Sequence, residues 1–173
     1  IQEMLKKHTV RDCIVKIILD DKPREGYFHF CRVKNKEGCF LLPNFRFIND
    51  NIVNTKYYNW ENESYTWNEV IDYVKTNDMN FNDKKNSFYF MGGLHSHLQR
   101  KKYFDLVNSD NNLYEGYCWS GSANGFKDFS EYFNYKFPIY IDGATNSDRF
   151  RLLMLLNATP FYCHSPYEEF YSY

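Results

Sequence analysis

The segment "DGATNSDR", residues 142–149, gathers a carboxylate, a glycine, small hydroxyl residues and an arginine. Asp142, Gly143, Thr145, Ser147 and Arg149 follow an apolar run, Phe137 to Ile141, and precede a second one, Phe150 to Leu156, broken only by Arg151. A strand that stops at small residues lets a ligand approach the backbone. A helix that starts there offers unpartnered N–H groups and the positive end of its dipole. An arginine beside them adds a fork suited to phosphate oxygens. The chemistry this pattern suits is the binding of a phosphorylated ligand. A second loop, "MGGLHSH" at 91–97, places Gly92, Gly93 and Ser96 in the same strand-to-helix setting. Neither loop has Walker or GxGxxG spacing. The same residues also fit an ordinary capped helix with Arg149 in solvent.

Such loops need strands and helices to carry them. "SFYFM" (87–91), "FPIYI" (137–141) and "TPFYC" (159–163) read as strands. Ser96 with Gln99 forms a capping box that predicts a helix through Val107, and a further helix is expected from about Ser147. "SPYEEFY", with Ser165, Pro166 and Glu168 in capping positions, predicts a last helix. Alternating strands and helices imply an α/β, Rossmann-like parallel sheet with flanking helices. Ligands bind such sheets beyond the carboxyl ends of the strands.

The first half differs. "IVKIILDD" (14–21), "YFHFCRV" (27–33), "CFLL" (39–42) and "FRFIN" (45–49) read as strands, with 39–42 pairing back as a hairpin. Thr66 and Glu69 form a capping box before a helix starting near Trp67. The polar interval "TNDMNFNDKKN" marks the expected boundary. It separates an N-terminal β-rich lobe with one helix (1–80) from a strand–helix lobe (81–173).

Hydrophobic residues make up 43% of the 173-residue chain and aromatics 20%, enough apolar surface to build a core rather than a disordered chain. A net charge of −1 argues against a broad grip on nucleic acid. No apolar run approaches the ~20 residues of a membrane span. The chain starts at Ile1 without a signal-peptide core, which reads as a processed product or an excised piece. Five cysteines without CxxC spacing read as free thiols, and His95 and His97 read as surface or ligand-side residues rather than metal ligands. Of two sequons, at Asn62 and Asn157, the second lies beside an apolar run and reads as a chance match.

The C-terminal segment "YKFPIYIDGATNSDRFRLLMLLNATPFYCHSPYEEFY" resembles the signature of family 90 glycosyltransferases, the capsule-associated and protein O-glucosyltransferase group. Asp142, Gly143, Ser147, Arg149, Leu152, Leu153, Ser165, Tyr167, Glu168, Phe170 and Tyr171 carry the match. Phe90, Gly92 and Ser96 match a second family segment, and "LLPNFRFIND" resembles a third. The resemblance implies a reduced or partial two-Rossmann-domain (GT-B) enzyme. It implies transfer of glucose or xylose from a UDP-sugar donor to a hydroxyl on a protein or glycan, with no cofactor and no required metal. Residues 81–173 would then be the donor-binding lobe. Arg149 would neutralise the donor diphosphate as charge develops on the leaving group. Ser147, Thr145, Asp142 and Gly143 would assist, with Gly92, Gly93, Ser96 and Arg100 on the other side.

The chain departs from the family pattern. Met91 stands where the family has arginine, and Arg100 lies one place beyond the family's second arginine, which aligns with Gln99. Asn44 replaces an aspartate, and the nearest candidate for the acceptor-activating base is Asp50. These departures keep open a non-catalytic structural or sugar-binding relative, in a longer chain with further domains. AT-biased composition suits a viral source and a cytoplasmic or virus-factory setting, whereas the resemblance also allows a secretory lumen.

Overall fold

The computed structural model describes residues 28–29, 31–33, 40–41, 66–94, 97–119, 127–143, 147 and 149–169. The expected strands at 14–21 and 45–49 lie outside the described residues. In the N-terminal half, β1 (Phe28–His29) pairs in parallel with β3 (Phe40–Leu41), so these segments do not form the expected hairpin. A two-strand hairpin requires antiparallel neighbours. Between them, β2 (Cys31–Val33) pairs antiparallel with β8 (Tyr167–Glu169) near the other end of the chain.

That pairing corrects the last predicted helix. Ser165 does not cap a helix: its hydroxyl accepts the Tyr167 N–H at 3.0 Å, closing a local turn, and the next residues enter a ladder with β2. A Ser-x-x-Glu pattern supplies cap chemistry, but strand pairing from elsewhere in the chain overrides the local preference.

Elsewhere the strand–helix reading holds. The helix α1 (Trp67–Asn77) starts at the expected capping box: Thr66 accepts from the Glu69 N–H at 3.2 Å, and Glu69 accepts from the Thr66 N–H at 2.6 Å. After it come β4 (Lys85–Gly93), α2 (Leu98–Ser109), β5 (Tyr114–Trp119), a 3₁₀ helix at Phe129–Asn134, β6 (Tyr135–Tyr140), α3 (Phe150–Leu153) and β7 (Phe161–Tyr162). The four strands form one all-parallel sheet in the order β5-β4-β6-β7. The strand β5 escaped the sequence reading because Gly116 interrupts its aromatic run. Glycine is required at 116: a Cβ there would lie 2.7 Å from the Phe90 carbonyl and 3.0 Å from the Phe104 ring.

Two further boundaries shift. The cap of α2 is His97, whose Nδ1 accepts the Gln99 N–H at 3.2 Å; Ser96 lies outside the described residues. The helix expected from Ser147 is a single turn, Phe150–Leu153.

Side chains alternate across the sheet. Phe90, Ile139 and Ile141 pack with Tyr103 of α2 on one face. Tyr89, Met91 and Tyr140 pack on the other face with Val70 and Val74 of α1, Tyr132, Leu152 and Leu153. Each such buried aliphatic side chain contributes roughly 1.5–3 kcal/mol. Arg151, which interrupts the apolar run, is buried with its guanidinium 4.7 Å from the Trp67 ring centroid. Asp78, just after α1, accepts from Lys84 Nζ and from the Asn157 N–H, tying the helix to the turn beyond α3. The Asn157 side chain donates to the Met79 carbonyl at 3.4 Å, giving this asparagine a structural role.

Candidate functional site

From β4 the chain crosses to β5 on one side and then returns to β6 on the other. The carboxyl ends of β4 and β6 therefore flank a topological switch point, the usual ligand site of an open parallel sheet. Both loops singled out in the sequence leave the sheet there.

The two strands separate at this point. Their paired residues end at Tyr89 and Pro138. Side chains take over the strand's polar groups. The Met91 N–H donates to the Tyr132 hydroxyl at 3.2 Å, and the Met91 carbonyl accepts from Arg149 Nη1. Arg100 reaches in from α2 and is only 7% exposed. Its Nε donates to the Asp142 carbonyl at 2.7 Å, Nη1 to the Gly93 carbonyl at 3.1 Å and Nη2 to the Ile141 carbonyl at 3.2 Å. It thus staples the end of β4 to the chain leaving β6.

Burial, and then the neighbouring Arg149 charge, push the Arg100 guanidinium down to about 10, so it keeps its charge at neutral pH. Arg149 is half-buried, with its guanidinium 6.0 Å from the Tyr132 ring centroid. Two guanidinium groups therefore sit close together at this edge. The carboxylate of Asp142 lies with them, 2% exposed, accepting from the Tyr140 hydroxyl at 2.7 Å through Oδ1. Its Oδ2 is buried with no hydrogen-bond partner among the described residues. Burial and the Asp142 charge both raise the pKa of the nearby Cys163 thiol, keeping it protonated.

The structure thus brings together Gly92, Gly93, Arg100, Asp142, Gly143, Ser147 and Arg149. Asp50, Thr145 and Ser96 lie outside the described residues. A Cβ on Gly92 would lie 2.5 Å from the Phe90 ring and 3.3 Å from Arg100 Nη1, so the glycine makes room for the core and for the staple. The Ser147 N–H, expected to serve a ligand, donates to the Tyr140 hydroxyl at 2.8 Å. Sequence reasoning missed Tyr140 and Tyr132. Tyr140 reads as part of the apolar run 137–141, and nothing in the spacing around either tyrosine announces a hydroxyl that serves the loops.

No curated protein matches the chain. The family model described as glycosyl transferase family 90 matches residues 15–173. With nearly the whole chain inside that match, the chain belongs to glycosyl transferase family 90.

Proposed function

We propose that this chain binds a UDP-sugar at the β4/β6 switch point and transfers its glucose- or xylose-type sugar to a hydroxyl of a protein or glycan. The observation that carries this is the pairing of Arg100 and Arg149 at one sheet edge. Arg100 is committed to three carbonyls and stiffens the site, while Arg149 is half-buried beside the DG loop. The divided roles suit a diphosphate leaving group, whose growing charge is best met by donors already in place. In a GT-B arrangement this sheet would be the donor lobe. Asp50 is the proposed acceptor base, with Thr145 and Ser96 as further donor contacts.

UDP at about 100 times its Kd is expected to stabilise the protein by about 2.7 kcal/mol, a rise of roughly 5–10 °C in Tm. Arg149→Ala should remove that rise. A folded wild type whose melting temperature ignores UDP would refute donor binding.

One observation favours a second reading, a sugar-binding relative without turnover. Met91, at the position where family members carry arginine, is buried among Tyr89, Tyr132 and Leu152 and offers no charge to a donor. Sugar transfer from the bound donor decides between the two, since the second reading allows binding and no product.

A further inference from the structure

We propose that the Tyr140 hydroxyl is the positioning group for the segment that carries Arg149, holding it from the sheet before any ligand arrives. The clasp is intrinsic to the chain; its consequence for a ligand rests on the donor-binding function proposed above.

Tyr140 is the last residue of β6 and 2% exposed. Its hydroxyl uses both of its capacities. It donates to Asp142 Oδ1 at 2.7 Å and accepts the Ser147 N–H at 2.8 Å. Its ring stacks on Tyr162 of β7, with centroids 4.8 Å apart and planes 8° apart, and meets the edge of Phe150 at 5.2 Å. Phe150 in turn meets Tyr162 at 4.9 Å. One side chain therefore grips the polypeptide on both sides of Arg149: at Ser147 through the hydroxyl, at Phe150 through the ring.

The contacts close on themselves. Arg149 returns to β4 at the Met91 carbonyl, and Asp142 returns to β4 through Arg100 and the Gly93 carbonyl. Phenylalanine would fill the same volume and keep both ring contacts. The hydroxyl is thus not demanded by packing, and its partners are the loop's own polar groups. Burial, followed by the Asp142 carboxylate, holds the phenol far above its ordinary pKa, so it remains a proton donor at any physiological pH. A guanidinium held in advance spares the ligand the cost of ordering it.

Tyr140→Phe in the full chain tests the clasp by two measurements. In the first, amide exchange at Ser147 under native conditions should rise about five- to tenfold relative to the β6 amides, while Tm falls by about 3–8 °C because the buried Asp142 Oδ1 loses its donor as well. In the second, UDP affinity measured by calorimetry should fall by a similar factor, about five- to tenfold. Unchanged exchange at Ser147 would overturn the clasp. An equal rise in exchange throughout the sheet would reduce Tyr140 to a stability residue and also overturn it. Raised Ser147 exchange with unaltered UDP affinity would overturn its positioning role. Should the wild type bind no UDP, the donor function falls, and the exchange at Ser147 alone decides the clasp.

Discussion

Arg100→Met is expected to lower the melting temperature by about 10 °C, from a loss of about 3–5 kcal/mol. Methionine matches much of the arginine's length and apolar stem but donates nothing. The carbonyls of Gly93, Ile141 and Asp142 would each lose a charge-assisted bond where β4 and β6 no longer pair. A buried acceptor left unmade costs about 1–3 kcal/mol, so three outweigh the gain from no longer burying a charge. Arg100→Lys should fall between, because one ammonium cannot span three carbonyls at guanidinium geometry. Thermal unfolding followed by circular dichroism measures this. A Tm for Arg100→Met within about 2 °C of wild type would mean the staple is dispensable and water satisfies the carbonyls instead.

The second large effect is steep unfolding in alkali. Burial is the leading cause that pushes the phenols of Tyr89, Tyr103 and Tyr140 far above their ordinary value of 10.0, and all three are at most 5% exposed. Above pH 10 the unfolded chain releases these three protons and the folded chain keeps them. The unfolded state then binds fewer protons, so stability falls as pH rises. Three groups give a slope of about 4 kcal/mol per pH unit. The lowered guanidinium of Arg100 acts in the opposite sense over the same range, as one group against three. The net slope of two groups is about 2.7 kcal/mol per pH unit, so a domain at the low end of the usual range of about 5–15 kcal/mol should unfold by roughly pH 12. Tyrosinate absorbance should then appear in two steps, exposed rings first and buried rings together with the loss of secondary structure. A single smooth titration of all sixteen tyrosines with the fold intact would contradict it.

Much of the sheet was legible because its signals are local. The Thr66–Glu69 box, the apolar runs at 87–91 and 137–141 and the glycines that end β4 each state their role within a few residues. What escaped depends on residues distant in sequence. Tyr167–Glu169 carries helix-start chemistry but is a strand, because β2 supplies a partner. Arg100 was legible as a cation and Asp142 as a loop carboxylate. Their commitments to carbonyls and to the Tyr140 hydroxyl follow from the parting of β4 and β6 at Pro138, which no spacing rule expresses. For the same reason Arg149 could be picked out from its neighbours, whereas Tyr140, which holds it, could not.

The β2–β8 ladder has a kinetic consequence. It joins Cys31–Val33 to Tyr167–Glu169, so nearly the whole described chain lies in the loop it closes. Loop-closure entropy opposes a three-residue ladder forming across that span on its own. The parallel strands and α2, whose partners lie much nearer in sequence, must assemble first and hold the two segments close. This ladder is then a late event in folding and, because the same entropy favours its release, an early one in unfolding.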